Sequence, residues 1–299
     1  MTTPSPLKSN IAVRILSHAE THHYGVPGIV CYNLETIVAA QKAALSRKSP
    51  CQLLLFPWAQ HYASSLLVNL ASDACRSATA LGVPMSLHLD HAQSAAEIHA
   101  AAATGRFDSI MVDMSHYEKA ENLRRTRELV AYCHARGIST EAEPGRINGG
   151  EAGVKDTGDL ESILTTPEEA LEFIATGIDF LAPAFGNIHG AYGGVENIRL
   201  DYARLERVRG VSRGKVALVM HGTNEFTEEI LRECVAAGMT RLNVNQLVVK
   251  GYEEFCTRKA GRLPLTEFMD TASDIIQKRI EWMMDVIGST GQAPNIDLS

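Results

Sequence analysis

Short apolar runs rich in β-forming residues alternate with amphipathic segments along most of the chain. Eight such runs cover residues 28–33, 51–56, 84–90, 109–113, 138–143, 180–185, 215–222 and 241–245. The amphipathic segments between them include ETIVAAQKAALSRK, ENLRRTRELVAYCHARG and TPEEALEFIATG, and several end in glycine, as helices often do. Strands that alternate with helices predict a parallel sheet. Eight such units in 299 residues predict a (β/α)8 TIM barrel of the α/β class.

A doubly wound open sheet is the alternative fold. That fold usually carries a glycine-rich phosphate turn after its first strand, and CYNLET, residues 31–36, is not such a turn. Because α/β barrels often reach this length as one domain, we expect a single domain over residues 1–299, with a barrel core at about 26–260. An extra N-terminal helix, NIAVRILSHAETHH, is predicted before the barrel, and a C-terminal helical extension at about 264–288 is predicted after it.

The segment 144–165 lies outside the repeating pattern. It is long, rich in glycine and charged. Loops of this length without regular structure are usually functional. We therefore expect a mobile active-site loop here, and a plain insertion is the alternative.

Composition and charge narrow the classes of function. The net charge of -7 gives no basic footprint, which argues against a nucleic-acid-binding protein. No apolar run is long enough to span a membrane, and MTTPSPLKSN lacks the apolar core of a signal peptide. The six cysteines are scattered without a CxxC pair. This pattern indicates reduced thiols, so we expect a cytoplasmic protein without nucleic-acid or membrane partners.

Ionisable and amide side chains collect where the predicted strands end. Asp90 and His91 close the third run, His189 follows the sixth and His221 ends the seventh. The other polar groups at strand ends are Asp113, Glu141, Glu143, Asn243 and Asn245. The C-terminal ends of barrel strands meet at one mouth, where such groups would be costly to bury unpaired. We therefore expect them to share a function.

Three histidines on separate strands, with one coordination position left open, suit a catalytic zinc ion. A single histidine at a strand end is more often structural, and we expect that role for His88. Asp90 and His91 would face opposite sides of a regular strand, so the strand must break for both to face the mouth. We expect the break at AQS, residues 92–94. Solvent or packing roles are expected for His18, His22, His23, His61, His99, His116 and His134.

Six segments together point to one family. They are LHLDHAQS, SIMVDMSHYEKAEN, TEAEPGRINGGE, GNIHGAY, VMHGTNEF and RLNVNQ, within about residues 28–250. In type and order they resemble the class II, metal-dependent ketose-bisphosphate aldolases, most closely the fructose-bisphosphate and tagatose-bisphosphate branch. The resemblance implies a lyase of carbohydrate metabolism, in glycolysis, with one Zn²⁺ per chain. Its default reaction would be reversible cleavage of fructose 1,6-bisphosphate to dihydroxyacetone phosphate and glyceraldehyde 3-phosphate.

The resemblance also implies roles for single residues. The zinc ligands would be His91, His189 and His221, and Asp113 and Glu143 would offer an alternate, inner metal position. Asp90 would be the acid/base at the aldol hydroxyl. Glu151 would protonate the enediolate, unless the family's loop acid belongs at the next position, which is Ala152 here. An amidohydrolase on the same fold would usually open with an HxH pair, which GIVCYN lacks.

Substrate contacts and partners follow from the same resemblance. The implied substrate-binding residues are Asn33, Gly190, Gly222, Thr223, Asn224, Asn243 and Asn245. Backbone around Gly190 and Gly222 would bind a phosphate group and a monovalent cation. The partner would be a small sugar phosphate, and the family's habit implies a homodimer or a larger homo-oligomer. The apolar helix IIQKRIEWMMDVIG is a candidate interface, and core packing is an equal alternative.

The phosphate-binding pieces depart from the family. Asn224 stands where serine is usual, Asn245 and Gln246 replace a residue followed by threonine, and Pro57 and Trp58 replace a serine or threonine. GGVEN after HGAY lacks the expected basic residue. Each lost charge-assisted hydrogen bond is worth roughly 1.5–3 kcal/mol. Two alternatives therefore stay open: an aldol substrate with one phosphate or none, and a catalytically degenerate zinc-binding barrel. Arg146 and Asn33 are candidate replacement donors.

Overall fold

Eight parallel strands close into a barrel in the part of the chain that the structure, a computed structural model, describes: residues 7–150 and 163–298. The strands are β1 Val26–Val30, β2 Cys51–Leu55, β3 Met85–Ala92, β4 Ser109–Val112, β5 Ser139–Ala142, β6 Phe180–Leu181, β7 Ala217–Met220 and β8 Met239–Val244. Each strand pairs with the next along the chain, and β8 pairs with β1. The predicted TIM barrel is confirmed, and the open sheet is excluded.

Helices surround this barrel. They are α1 Ile11–His22, α2 Leu34–Arg47, α3 Trp58–His61, α4 Leu66–Ala80, α5 Ala95–Ala103, α6 Lys119–His134, α7 Pro167–Ile174, α8 Tyr202–Ser212, α9 Glu228–Ala236, α10 Gln246–Lys259 and α11 Leu265–Val286. The sequence TPEE begins α7 as a capping box, in which the Thr166 hydroxyl accepts from the Glu169 amide and the Glu169 carboxylate accepts from the Thr166 amide. None of the helices in these described ranges is long and apolar enough to cross a membrane.

Helix α1 covers the end of the barrel where the strands begin. Its buried residues Ile15 and Leu16 belong to an apolar cluster with Val26, at the start of β1, and Phe180, at the start of β6. The Asn10 side chain caps α1 and also donates to the carbonyl of Asp108, just before β4. The predicted N-terminal helix is therefore confirmed, and it leaves the opposite end of the barrel for chemistry.

Helix α11 packs against α2 on the outside of the barrel. Ile276, Ile280, Met283 and Met284 are fully buried within the chain's own core. The Trp282 indole donates to Glu228. The predicted C-terminal helix is confirmed, and its apolar stripe is used for packing inside this chain.

Candidate active site

Three imidazoles meet at the C-terminal mouth of the barrel. His91 comes from β3, His189 follows β6 and His221 follows β7, and all three are buried. The Nε2 atom of His91 lies 3.1 Å from Nδ1 of His221, which lies 3.4 Å from Nε2 of His189. Among the residues described, this is the one group of three or more metal-binding side chains with ligand atoms this close, within 4.8 Å of one another.

The outer nitrogen of each imidazole faces an acceptor. Nδ1 of His91 lies 2.9 Å from a carboxylate oxygen of Asp113, and Nε2 of His221 lies 2.9 Å from a carboxylate oxygen of Glu141. Nδ1 of His189 faces the Ile147 carbonyl at 3.3 Å. Because these acceptors orient the three rings, the inner nitrogens of the imidazoles face one another.

Three converging imidazole nitrogens fit a metal cation. Burial, together with the charges of His91 and His221, lowers the pKa of His189 well below its usual value, so His189 is neutral as a ligand must be. One proton could bridge a single pair of inner nitrogens, whereas a cation would satisfy all three at once. Three histidine nitrogens with an open fourth position are a donor set typical of catalytic zinc.

A bulge in β3 brings Asp90 and His91 to the same pocket. His91 has a left-handed backbone, with φ of 49°, and the register against β4 shifts between Leu89 and Ala92. An extra residue in a strand re-aims the side chains beside it. The predicted break was placed at residues 92–94. The structure instead turns at His91, and the strand continues to Ala92, whose carbonyl accepts from the Asp113 amide at 3.0 Å.

Asp90 lines the cavity beside the three imidazoles. One of its oxygens accepts from the Asn243 amide at 3.2 Å, and the other, Oδ1, is buried 3.7 Å from Nε2 of His88. Burial by itself raises the pKa of Asp90, but the nearby charge of His91, a contact with His88 and the charge of His221 outweigh it and hold the pKa well below the usual range. Asp90 is therefore ionised and lines the cavity, where it can act as a base towards a substrate hydroxyl.

Asp113 and Glu143 lie behind His91. Asp113 accepts from Nδ1 of His91 and, through its other oxygen, from the hydroxyl of Ser115 at 2.7 Å. Glu143 accepts from the Ile147 amide through one oxygen, and its other oxygen is buried without a partner. Burial and the charge of Asp113 raise the pKa of Glu143 well above its usual value. A role for these two carboxylates in an alternate metal position stays a prediction.

A buried guanidinium supports the site from inside the barrel. Arg241 of β8 is fully buried and donates to Asn243 at 2.7 Å, to Gln52 at 3.0 Å and to Glu141 at 2.5 Å. Glu141 in turn contacts His221, and Asn243 donates to Asp90. Arg241 therefore helps to position both a candidate metal ligand and the candidate base.

Sequence reasoning missed Arg241 and Gln52. A signal for both was present: Gln52 is the polar residue of an otherwise apolar run, and Arg241 is a charged residue in a run predicted to be a strand. Arg241 also has the same parity as Asn243, so the two side chains share a face of β8. His88, expected to be structural, is buried below the pocket, with Nδ1 at 2.6 Å from the Ser109 hydroxyl and Nε2 at 3.5 Å from Glu141.

Most of the predicted substrate-binding residues surround the histidines. The cavity is lined by Gly222, Thr223, Asn224, Asn243 and Asn245, together with Val30, Phe56 and Val244. Gly222 has φ of 71°, and a Cβ there would collide with the Ile188 carbonyl. Gly190 lies beside the cavity, where its carbonyl accepts from the Asn224 amide at 3.1 Å.

Among the described residues, Asn33 and Arg146 are not part of this lining. Asn33 caps α2, where its side-chain oxygen accepts from the Thr36 amide and its nitrogen donates to the Tyr252 hydroxyl at 2.8 Å. Glu151 lies outside the described residues. Arg146 is buried, and its Nε donates to the Ser115 carbonyl at 3.0 Å.

Comparisons with known proteins agree with this geometry. The family described as "Fructose-bisphosphate aldolase class-II" matches residues 11–292. A protein of Coccidioides immitis (strain RS), named "Putative fructose-bisphosphate aldolase", is 53% identical over 298 residues, covering 97% of each chain. The fructose-bisphosphate aldolase of Geobacillus stearothermophilus is 32% identical over 286 residues, covering 93% of this chain and 96% of that protein.

A solved structure shares the whole fold. It is described as the "Crystal structure of a putative fructose-1,6-biphosphate aldolase from Coccidioides immitis", and its chain is 54% identical to this one. The match covers 96% of this chain and 99% of the solved chain, with a TM-score of 0.93. Family, relatives and the histidine cluster agree, and the buried histidines could hold the metal on which this family depends. The chain therefore belongs to the class II fructose-bisphosphate aldolases, which are metal-dependent lyases built on a TIM barrel.

Proposed function

We propose that this chain is a zinc-dependent aldolase that cleaves a ketose bisphosphate reversibly. The default substrate is fructose 1,6-bisphosphate, and the products are dihydroxyacetone phosphate and glyceraldehyde 3-phosphate. One observation carries the proposal: three imidazole nitrogens converge in a cavity that the ionised carboxylate of Asp90 also lines. A Lewis acid and a base, side by side, are what an aldol cleavage needs.

His91, His189 and His221 would hold the metal through their inner nitrogens. A bound zinc would polarise the ketone carbonyl and stabilise the negative charge of the enediolate. Imidazole ligands also accept cobalt, iron and manganese, so zinc is the proposed ion within this group.

Asp90 would move the proton at the aldol hydroxyl. In cleavage, Asp90 takes the hydroxyl proton, the adjacent carbon–carbon bond breaks, and its electron pair stays on the dihydroxyacetone phosphate half as the enediolate. The other half leaves as the aldehyde, and condensation reverses each step. Asn243 holds one oxygen of Asp90, and the carboxylate lines the cavity where the aldol hydroxyl would lie.

A second acid must protonate the carbon of the enediolate. The family resemblance assigns this step to Glu151, which lies outside the described residues. Asp113 and Glu143 would serve as the alternate metal position, and the raised pKa of Glu143 supports its being protonated while the metal sits at the histidines.

The glycine turns after β6 and β7 would face the phosphate of the dihydroxyacetone half. Gly190 and Gly222 both have left-handed backbones, which let a main chain approach a ligand closely. Thr223, Asn224, Asn243 and Asn245 would complete the contacts. The proposal also includes a monovalent cation bound by the backbone around Gly190 and Gly222. It further includes a homodimer or larger homo-oligomer, and light scattering would measure the oligomeric state.

The test is cleavage of fructose 1,6-bisphosphate by the zinc-loaded protein. Turnover should disappear in a chelator and return with added zinc. Asp90→Asn should keep one zinc per chain and lose turnover by roughly 10²–10⁴-fold, because only the proton transfer is removed. His221→Ala should lose the zinc itself. Full activity in the chelated protein, or in Asp90→Asn, would contradict the mechanism.

A further inference from the structure

We infer that Tyr192, held in place by Glu225, is a positioning residue for the metal, because it fixes the separation of two loops that each carry a histidine ligand. The β6 loop, residues 186–194, carries His189, and the β7 loop, residues 221–227, carries His221. The inference rests on the proposed function, since it takes these histidines as metal ligands. Tyr192 is not among the described residues that line the metal cavity, and it acts through the two loops.

The Tyr192 hydroxyl bridges the β6 and β7 loops. It accepts from the Ile188 amide at 3.0 Å and donates to the Gly222 carbonyl at 2.7 Å. Ile188 directly precedes His189, and Gly222 directly follows His221, so one side chain joins the backbone beside both ligands. Burial raises the pKa of Tyr192 to about 12, which keeps the proton that the second hydrogen bond needs.

The separation of the two histidines is the one that a metal requires. Nδ1 of His221 lies 3.4 Å from Nε2 of His189. Two nitrogens bound to one tetrahedral zinc ion at about 2.0–2.1 Å would lie about 3.3–3.4 Å apart. Because the two rings belong to different loops, this distance depends on how firmly the loops are held together. Ligands that are already held in place lose less freedom on binding and therefore bind more tightly.

Glu225 adds a second contact between the loops. It has a left-handed backbone, with φ of 65°, which is uncommon for a residue other than glycine and is typical of functional sites. In this conformation one carboxylate oxygen accepts from the Tyr192 amide at 2.6 Å and lies 3.5 Å from the Gly194 amide. The β7 loop therefore holds both the backbone and the side chain of Tyr192.

Two amide side chains also cross between the loops. Asn187 donates to the His221 carbonyl and Asn224 donates to the Gly190 carbonyl, each at 3.1 Å. Each contributes one hydrogen bond, whereas the hydroxyl of Tyr192 contributes two. These contacts keep the loops connected when that hydroxyl is removed, so we expect a looser metal site in a chain that still folds.

Packing is the alternative role for Tyr192, whose ring centroid lies 5.8 Å from that of Phe226. Tyr192→Phe keeps the ring and removes only the hydroxyl group. Tyr202→Phe is a matched control, because Tyr202 is also partly buried and its hydroxyl contacts Sγ of Cys234, in helix α9, at 3.9 Å. A difference between the two variants therefore reports the bridge and not the loss of a hydroxyl as such.

Zinc affinity, measured by competition with a chromogenic chelator, tests the inference. Tyr192→Phe should bind zinc roughly 10-fold or more weakly than wild type, as is common when an outer partner of a metal site is lost. Tyr202→Phe should keep wild-type affinity. The visible absorption of bound Co²⁺, which depends on coordination geometry, should change in Tyr192→Phe and not in Tyr202→Phe. Wild-type zinc affinity in Tyr192→Phe with a cooperative thermal transition would overturn the inference.

A second pair of variants keeps the inference testable should Tyr192→Phe fail to fold. Glu225→Gln keeps an oxygen that can accept from the Tyr192 amide, and Glu225→Ala removes it, while both keep a non-glycine residue at this backbone angle. Losing this hydrogen bond should lower the zinc affinity of Glu225→Ala by roughly 3-fold, and Glu225→Gln should recover most of the loss. Equal zinc affinities in these two variants would likewise overturn the inference.

The wild-type chain and His221→Ala distinguish failure of this inference from failure of the proposed function. Wild type that holds one zinc per chain, with equally tight binding in Tyr192→Phe, would overturn the inference alone. Wild type that binds neither zinc nor Co²⁺, or binding that survives unchanged in His221→Ala, would overturn both.

Discussion

At the scale of single residues, the site depends on two side chains, Arg241 and Glu141, that do not line its cavity. Arg241 holds Glu141, which holds His221, and also holds Asn243, which holds Asp90. Such outer partners fix the orientation of metal ligands and of catalytic groups. Arg241 is therefore a positioning residue for both halves of the chemistry.

Arg241→Met should separate this role from packing alone. Removing the guanidinium leaves Glu141 buried without its cation, which typically costs about 3–5 kcal/mol of unfolding free energy. Zinc affinity should fall about 10–100-fold, as is common when a partner of a metal ligand is lost. Denaturant unfolding and competition with a zinc chelator measure the two effects.

Two control variants sharpen the Arg241 experiment. Arg241→Lys keeps the charge and should recover part of both losses, although a lysine cannot reach three acceptors in one plane. Arg213→Met, at an exposed position, should change stability by no more than about 0.5 kcal/mol. Wild-type zinc affinity in Arg241→Met would show that His221 is oriented without this network.

At the scale of strands and loops, the site is made by irregularities. The bulge at His91 directs the neighbouring side chains of Asp90 and His91 towards the same cavity. The turn at Gly222 brings the backbone close to the Ile188 carbonyl. Each irregularity sits at the C-terminal end of a strand, where the pairing of the sheet no longer constrains the backbone.

Gly222→Ala should disturb the turn after β7 far more than its backbone angle alone explains. The glycine has φ of 71°, and the added Cβ would meet the Ile188 carbonyl. Gly214 is a matched control, since its φ is 69° and a Cβ there meets open space. We expect Gly214→Ala to cost about 1 kcal/mol and Gly222→Ala several times that, with loss of aldolase activity. Similar thermal midpoints for the two variants would contradict this expectation.

Asp108 should make the contact between β3 and β4 sensitive to pH. Its carboxylate accepts from the Leu87 amide at 2.7 Å, and burial raises its pKa to about 6, partly opposed by that hydrogen bond and by Arg76. Because the folded pKa is above the unfolded value of about 3.8, the folded chain binds the proton more tightly. This stabilisation is complete below pH 4 and is lost as the pH rises through 6.

The variant Asp108→Asn can still accept from Leu87 but cannot titrate. Its stability relative to wild type should therefore improve between pH 4 and pH 7, by on the order of 1–3 kcal/mol. Urea unfolding at several pH values measures the difference. A difference that does not change with pH would show that Asp108 titrates normally in the folded chain.

The sequence indicated the positions of the strand ends better than the backbone conformation and hydrogen bonding at those ends. The apolar run 180–185 indicated a strand, and its residues are buried, but β6 contains only Phe180 and Leu181. The Phe185 amide donates to the Asn187 side chain and not to a neighbouring strand. Residues 182–185 are therefore buried although they lie beyond the end of β6. The site histidines and Asp90 were found because they close strands. Arg241 was not, because a sequence shows a charge in a strand but not the acceptors across the barrel.

At the scale of the whole molecule, helices α1 and α11, which are additions to the barrel, stabilise different parts of it. Helix α1 seals the end of the barrel where the strands begin, and α11 supports one side by packing on α2. Backbone bonds from Gly291 and Ala293 to the end of α2 tie the chain's last turn to the same place. The mouth with the histidines is left to the loops.

Met283→Ala should therefore destabilise the whole barrel. Met283 is fully buried between α11 and the core, and truncating such a side chain typically costs about 2–5 kcal/mol. Leu265→Ala, on the same helix but 72% exposed, should change stability by no more than about 0.5 kcal/mol. Equal thermal midpoints for the two variants would mean that α11 adds little to the fold.

The carboxylates beneath the mouth have a consequence for which ion the barrel accepts. Asp90, Asp113 and Glu141 have lowered pKa values and are ionised, Glu143 is held neutral, and Arg241 offsets one of the three negative charges. Burial lowers the pKa of His91, but Asp90 and Asp113 raise it to about 10, so His91 also carries a proton until a metal displaces it. Once His91 is a neutral ligand, two negative charges remain among these described groups, in a space almost sealed from water. Electroneutrality then selects valence as well as geometry: a doubly charged ion cancels the deficit, a singly charged ion leaves half of it, and a triply charged ion overshoots.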